Sequence, residues 1–169
     1  MRRIPAYAVL AVLLLPACGI NGLSFRQDER VTIVFPQDRA RVTLPFTVDW
    51  EVTEFQVVGE TGSTDPDQGY FGVIIDRDPQ PPGETLAWFA RDDTQCRPEL
   101  GCPDEDYLAT RRVFSTTATS FTVDVLPDTE RLEDRRELHE LIVVLLDGSG
   151  RRIGEGAWAV EFEVRREVA

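Results

Sequence analysis

An alternation of apolar and polar residues is the feature of this sequence that most restricts its fold. Every second residue from position 42 to position 52 is apolar, namely Val42, Leu44, Phe46, Val48, Trp50 and Val52. Alternate side chains of an extended strand point to opposite faces, so these six residues share one face and predict a half-buried strand. Pro45 falls on the polar face. A residue without an N–H at this point indicates an edge, a bulge or a bend of the strand from one sheet to another.

Most of the remaining chain is also predicted to form strands. The segments that alternate or form nearly continuous apolar runs are residues 31–35, 70–75, 86–90, 121–125, 141–146 and 158–164. The run at 141–146 predicts a central strand, and Asp147-Gly148 after it predicts a hairpin into the last strand. Only residues 129–137 look helical, as one or two turns. We therefore predict an all-β fold, a single antiparallel β-sandwich of seven to eight strands over residues 30–166.

Two segments near the start of this region resemble a known class of modules. Residues 35–38, Phe-Pro-Gln-Asp, and residues 42–50, Val-Thr-Leu-Pro-Phe-Thr-Val-Asp-Trp, resemble the first strands of immunoglobulin-like or fibronectin type III-like modules of bacterial surface proteins. The resemblance implies an immunoglobulin-like sandwich across residues 31–164. The sequence departs from antibody domains in two ways. Its cysteines are not placed as an inter-sheet pair around a tryptophan, and no tyrosine precedes the 141–146 run as in a tyrosine corner.

The first eighteen residues have the pattern of an export signal. Arg2 and Arg3 precede an apolar run at residues 6–15, which is too short to span a bilayer as a helix but has the length of a signal-peptide core. The run ends in Leu15-Pro16-Ala17-Cys18, which resembles the lipobox of bacterial lipoproteins. The resemblance implies removal of a signal peptide at residues 1–17 and acylation of Cys18, with residues 18–29 as a flexible tether. The alternative is an ordinary secretory signal in which Cys18 has no role.

The charge of the chain restricts its partners. The sequence has 30 acidic residues against 18 basic ones, for a net charge of −12, and every basic residue is an arginine. A surface this acidic repels phosphate backbones and anionic headgroups, so we exclude nucleic acid as a partner. Contact with the membrane is therefore expected only through the lipid on Cys18. We expect the protein to lie outside the cytoplasm, anchored to the bacterial membrane.

The other two cysteines are predicted to form a disulfide. Cys96 and Cys102 are an even pair in an oxidising compartment, and their bond closes a ring of about seven residues, worth about 2 kcal/mol. The ring lies within a long loop at residues 91–108. One interpretation is simple stabilisation of that loop. The other is a rigid binding loop, for which the candidate residues are Arg97, Pro98, Glu99, Leu100 and Tyr107.

Acidic residues in the same loop are candidates for a calcium site. Asp92, Asp93, Asp104 and Asp106 could supply some of the six to eight oxygens that calcium takes. No segment matches the twelve-residue calcium-loop pattern, however, and solvated surface is the ordinary explanation of such clusters. The two sulfurs also fall short of a zinc-binding set. We predict no metal and no other cofactor.

The single histidine gives little support for catalysis. His139-Glu140 begins like the zinc-protease motif HExxH, but Val143 stands where the second histidine is required. We expect His139 to cap the start of the strand at 141–146. Ser149 lies in Gly148-Ser149-Gly150, which is typical of a turn and does not match the Gly-x-Ser-x-Gly pattern of hydrolases. We therefore predict that the protein is not an enzyme.

Three functions remain as hypotheses. The first is a non-catalytic binding or adaptor module of the cell envelope, which presents the 91–108 loop to another envelope protein. The second is a carbohydrate-binding module with an exposed platform for a glycan formed by Trp88, Phe89, Tyr70 or Tyr107, since Trp50 and Trp158 lie on core-facing stripes. The third is a glycoside hydrolase with paired carboxylates, whose separation is set by the fold. We expect the first.

Overall fold

The computed structural model describes residues 29–126 and 137–165, and these form nine strands and two short helices. The strands are β1 (Val31–Phe35), β2 (Ala40–Val42), β3 (Phe46–Val52), β4 (Gln56–Val57), β5 (Gln68–Ile75), β6 (Val113–Thr116), β7 (Ser120–Val123), β8 (Glu137–Asp147) and β9 (Arg152–Val164). The helices are a 3-10 helix at Leu86–Ala90 and α1 at Glu105–Thr110. The predicted all-β class is confirmed, with β2 and β4 as short strands beyond the predicted seven to eight.

The strands form two sheets. One sheet has the order β1-β3-β7, and the other has the order β2-β9-β8-β5-β4, with β6 also paired to β5. The prediction of a central strand at 141–146 is confirmed, because β8 lies between β9 and β5. The prediction of a purely antiparallel arrangement is wrong at two places, since β2 pairs with β9 and β4 pairs with β5 in parallel.

The predicted strand at residues 42–52 is divided where Pro45 lies. β2 ends at Val42 in one sheet and β3 begins at Phe46 in the other, so the chain changes sheets across Leu44 and Pro45. Proline has no N–H to donate to a ladder, which suits the position between the two pairings. The alternation still holds in β3, where Phe46, Val48 and Trp50 are buried.

The main core lies between the two sheets. Phe71, Val73 and Ile75 of β5 and alternate residues of β8 and β9 pack against the apolar face of β3. The ring of Trp50 meets that of Phe71 edge to face, with 5.4 Å between centroids, an arrangement worth about 0.5–1.5 kcal/mol beyond the buried area. Val125 is not part of this core, contrary to the predicted alternation. It is 81% exposed because β7 ends at Val123.

A second core covers the outer face of β5 and β8. Residues 76–112, which join β5 to β6 and are called the insertion below, fold back over Tyr70, Ile74 and Val144. Burial on both faces explains why β5 and β8 are continuous apolar runs. The prediction of a strand at 86–90 is wrong, because Leu86 and Phe89 are spaced three residues apart and both pack on this core from the 3-10 helix.

Two other sequence predictions need correction here. The predicted 91–108 loop contains helical structure, because α1 begins at Glu105. The helical turns predicted at 129–137 fall on residues 129–136, which lie outside the described residues, and Glu137 begins β8.

Candidate functional site

Three chain segments meet at the end of the sandwich where β8 turns into β9. The segment between β4 and β5 is joined to the turn by hydrogen bonds from the N–H groups of Thr61 and Gly62 to the carbonyl of Gly148, at 2.9 and 2.6 Å. The insertion is joined to β9 by reciprocal backbone bonds, from Gly83 N to Arg152 O and from Arg152 N to Glu84 O, each 2.9 Å. Backbone pairing therefore fixes the relative positions of all three segments.

The turn between β8 and β9 is held by one carboxylate. Asp147 Oδ1 accepts hydrogen bonds from the Ser149 N–H at 2.8 Å, the Ser149 hydroxyl at 2.7 Å and the Arg151 N–H at 3.0 Å. Gly150 has a φ of 81°, in the left-handed region that favours glycine. Ser149 thus belongs to the turn, as its sequence context indicates.

The predicted disulfide between Cys96 and Cys102 is confirmed, with 5.3 Å between the Cα atoms. Residues 93–102, called the disulfide loop below, begin at Asp93, whose Oδ1 accepts hydrogen bonds from the N–H groups of Gln95 and Cys96 at 2.9 and 3.1 Å. Just after the disulfide, Asp104 caps α1 by accepting from the Tyr107 N–H at 2.8 Å. Two aspartates and a disulfide therefore set the conformation of the loop.

Tyr107 connects α1 to the start of the disulfide loop. Its hydroxyl donates to Asp93 Oδ2 at 3.0 Å, and Arg111 donates to the same oxygen at 3.2 Å while its guanidinium lies 3.6 Å from the centre of the Tyr107 ring. The hydrogen bonds from the Cys96 and Gln95 N–H groups and from Tyr107 lower the pKa of Asp93. Burial, followed by the bond to Asp93, raises the pKa of Tyr107. Tyr107 is therefore engaged inside the insertion.

A groove of about 530 Å³ lies between these segments. Its walls include Glu60 from the β4–β5 segment, Ser149 and Gly150 from the turn, and Leu86 from the 3-10 helix. Gly101, Cys102, Pro103, Asp104 and Glu105 supply the wall formed by the disulfide loop and the start of α1. Pockets that bind small groups commonly have this volume.

Tyr70 of β5 also lines the groove. Its side chain is only 7% exposed. Burial, then the charges of Glu60 and Asp147, raise the pKa of Tyr70 to about 12. The phenol is therefore neutral at physiological pH.

The candidate binding-loop residues have two different environments. Arg97, Pro98, Glu99 and Leu100 are exposed on the disulfide loop and do not line the groove, and Leu100 is fully exposed. The residues next to them, Gly101 and Cys102, do line it. The structure thus brings the disulfide loop to the groove through its second half, whereas Tyr107 faces Asp93.

The four calcium candidates are not gathered around one point. Asp93 and Asp104 accept hydrogen bonds within the loop as described, and Asp92 forms an ion pair with Arg91 at 3.3 Å. Asp106 is exposed on α1. Across residues 29–126 and 137–165, no group of three His, Cys, Asp or Glu side chains is placed to hold a metal ion.

Three of the four aromatic residues predicted as a sugar platform have an arginine guanidinium stacked over the ring. The guanidinium of Arg91 lies 3.5 Å from the centre of the Trp88 ring, and that of Arg77 lies 5.4 Å from the centre of the Phe89 ring. Tyr107 carries Arg111 in the same way, and Tyr70 is buried. In this conformation an arginine occupies one face of each of the three more exposed rings, where a sugar would stack.

A buried polar cluster lies at the other end of β5, where the insertion begins and ends. Asp76 Oδ2 accepts from Arg112 at 2.6 Å and lies 2.8 Å from His139 Nδ1, and Asp76 Oδ1 accepts from the Glu140 N–H at 3.0 Å. His139 is 1% exposed, and its Nε2 lies 3.7 Å from a carboxylate oxygen of Glu137. The expected capping role of His139 is wrong, since it lies within β8 and stacks on Phe162.

Asp76 keeps its charge in this cluster. Burial opposes ionisation, but the hydrogen bonds from His139 and from the Glu140 N–H, together with the charges of His139 and Arg112, outweigh burial and lower the pKa of Asp76. Asp76 and Arg112 are the first and last residues of the insertion, and both have positive φ, at 52° and 58°. Their ion pair closes the base of the insertion.

Sequence reasoning did not identify Glu60, Ser115 or Gly150 as groove residues, nor the pair of Asp76 and Arg112. These residues come from segments far apart in the chain, and no local motif marks them. Tyr70 was a candidate only as an exposed sugar platform. The one signal for the cluster was a histidine within an apolar strand, which requires a polar partner when buried.

Comparison with known proteins gives no match: no family model, no curated protein and no solved structure is similar to this chain. Neither of the two described helices has the length and apolar composition needed to cross a membrane.

Proposed function

We propose that this protein is a lipid-anchored extracytoplasmic lipoprotein that acts as a non-catalytic binding or adaptor module of the bacterial cell envelope, and that the groove is its binding site. The observation that carries the proposal is the meeting of a disulfide-held insertion, a tight turn and the β4–β5 segment around one open groove. Rigid loops on a β scaffold are common places for recognition.

The anchor is supported by the first eighteen residues and by the disulfide. An apolar run of signal-peptide length at residues 6–15 is followed by Pro16, Ala17 and Cys18, and Cys18 has the position that a bacterial lipobox requires for acylation. Disulfides persist mainly in oxidising compartments, so the bond between Cys96 and Cys102 is in keeping with export. Two acyl chains on Cys18 would give stable attachment.

An immunoglobulin-like assignment is supported by the order of the strands. β1, β3 and β7 follow the order of strands A, B and E in one sheet, and β5, β8 and β9 follow that of C, F and G in the other. On this assignment the β4–β5 segment and the β8–β9 turn are the B–C and F–G loops, which carry recognition in antibody variable domains. A strand D is missing from the order, since only residues 117–119 separate β6 from β7.

A non-catalytic role is supported by the contacts of His139 and of the Ser149 hydroxyl. His139 is buried on Asp76 and does not line the groove. The hydroxyl of Ser149 donates to Asp147 within the turn. The side chains most often used as base and nucleophile are therefore engaged in holding the fold.

Photocrosslinking at the groove tests this proposal. A benzophenone amino acid replaces Ala87, which is exposed and lines the groove, in the full chain expressed in its own bacterium. We expect one discrete protein adduct in native membranes after irradiation, identified by mass spectrometry. The matched control replaces Glu51, which is exposed on β3 in the other sheet.

The comparison between the two positions decides the outcome. An adduct at Ala87 and none at Glu51 supports a protein-binding groove. Equal labelling at both positions, or none at either, contradicts the proposal that the groove is a protein-binding site.

A further inference from the structure

Tyr70 presents its hydroxyl to the groove. The residue is only 7% exposed, and its hydroxyl forms no hydrogen bond with the side chains and backbone described for residues 29–126 and 137–165. A Cβ added to Gly150, another groove residue, would lie 3.0 Å from that oxygen, so the hydroxyl is at the wall beside the turn. The oxygen is not among the fully buried polar atoms, so it opens into the groove. A ligand in the groove would supply a hydrogen-bond partner.

The charge around this hydroxyl has a single sign. The ionisable side chains of the groove besides Tyr70 are Glu60, Asp104 and Glu105, and no arginine of the described chain lines it. Elsewhere in the insertion, arginines lie over the rings of Trp88, Phe89 and Tyr107. Among residues 29–126 and 137–165, the side chains of Glu60 and Glu105 find no hydrogen-bond or ion-pair partner.

These features favour a positively charged organic group over a metal ion or an anion. An anion would be repelled by three carboxylates. The carboxylates of the groove do not form a set that could hold a metal, since no three acidic, cysteine or histidine side chains of the described ranges are so placed. A guanidinium or ammonium group carries several N–H donors and can reach separated acceptors.

We propose that the groove binds an arginine or lysine side chain from a segment of the partner protein, with Glu60 as its ion-pair partner and the Tyr70 hydroxyl as a hydrogen-bond acceptor. This rests on the proposed function of the groove as a protein-binding site. A protein segment fits better than a free small cation because Leu100, fully exposed on the disulfide loop, stands next to Gly101 in the groove wall. Leu100 could contact a residue that flanks the basic one, which a free small cation does not have.

Peptide binding to the full chain in detergent micelles tests the inference. The probe is a fluorescein-labelled peptide Gly-Arg-Leu-Arg-Gly, followed by fluorescence anisotropy at about 0.15 M ionic strength, where distant charges are screened. We expect saturable binding that is weakened about tenfold by Glu60→Gln and several-fold by Tyr70→Phe, the losses typical of charge-assisted and neutral hydrogen bonds. The control variant is Asp92→Asn, an exposed acid of the same insertion outside the groove.

Two further probes distinguish the alternatives. The same peptide with citrulline in place of arginine keeps the shape and loses the charge, so we expect no binding. Agmatine, a free guanidinium compound, should bind far more weakly than the peptide. Equal affinity of the Glu60→Gln and Asp92→Asn variants would overturn the inference, because the peptide would then be attracted only by the general acidity. Equal affinity for agmatine and peptide would overturn the choice of a protein segment.

The inference and the proposed function can fail separately. A discrete adduct at Ala87 with no preference for the arginine peptide overturns the cationic ligand and leaves the binding module in place. Loss of the adduct itself overturns the proposed function. Unchanged thermal unfolding of Tyr70→Phe and Glu60→Gln, measured by circular dichroism, ensures that weaker binding reflects the groove.

Discussion

At the scale of single residues, the carboxylate of Asp76 links three parts of the molecule. It accepts hydrogen bonds from Arg112 at the end of the insertion and from the backbone of Glu140 in β8, and it lies within hydrogen-bond distance of buried His139. This role could not be recognised in the sequence, because Asp76 follows an apolar run and looks like an ordinary residue at the end of a strand. Only the fold brings its partners, 36 to 64 residues away in sequence, within reach.

Replacing Asp76 with Asn tests the importance of this carboxylate. The amide has nearly the same shape but no charge for Arg112, so we expect the free energy of unfolding at pH 7 to fall by about 2 kcal/mol. Urea unfolding followed by circular dichroism measures the change. Asp92→Asn is the control, because Asp92 is exposed and its ion pair with Arg91 contributes little.

The pH dependence of the same pair of proteins gives an independent check. The folded protein lowers the pKa of Asp76, so this residue stabilises the fold above the unfolded pKa of about 3.9 and that contribution is lost as pH falls through the folded pKa. The stability of the wild type should therefore approach that of Asp76→Asn below about pH 4. A constant difference from pH 7 to pH 3 would contradict the assigned role.

At the scale of elements, most strands could be predicted from the sequence, but the continuous apolar run at residues 86–90 was assigned to the wrong element. The faces of β3 and β9 are visible in the period of two, and Pro45 marks the change of sheet. Residues 86–90 are five apolar residues in a row, and such a run is compatible with a strand or a helix until its neighbours are known. The groove was not predictable because its walls come from several parts of the chain that are far apart in sequence.

The disulfide loop is the element whose removal should have the clearest effect. Replacing both Cys96 and Cys102 with Ser removes a link across about seven residues, so we expect the free energy of unfolding to fall by about 2 kcal/mol. Reduction of the wild type should have the same effect. Urea unfolding of the two oxidised proteins, with and without reductant, measures both; a reductant effect that persists in the double variant would show that the bond is not its cause.

At the scale of the whole molecule, the two cores divide the chain into the two-sheet sandwich and the insertion that covers its outer face. The first core joins the sheets, and the second joins the insertion to the outer face of β5 and β8. All-β architecture and the disulfide were within reach of the sequence. The packing of the insertion on the outer face of the sheet could not be predicted, since residues 91–108 contain turns and polar residues that are typical of a surface loop.

The proposed anchor belongs to this scale because it determines where the whole protein is found. Cys18→Ala removes the sulfur that would carry the lipid, so we expect the variant to lose labelling by a clickable palmitate analogue and to leave the membrane fraction. Cys102→Ser, which alters a different cysteine, should keep both properties. Unchanged labelling of Cys18→Ala would refute lipidation at this site.

The parallel pairing of β2 with β9 has a mechanical consequence. Ala40, Arg41 and Val42 lie beside Phe162, Glu163 and Val164, near opposite ends of the described chain. Tension that pulls β2 from its N-terminal end and β9 from its C-terminal end would draw these neighbours past one another in opposite directions. The bonds between them would then carry the load together and would have to break at once, whereas a hairpin pulled from its open end unzips one pair at a time. A protein tethered on the β1 side and pulled at the C-terminal end of β9 would therefore resist extension through the bonds between β2 and β9.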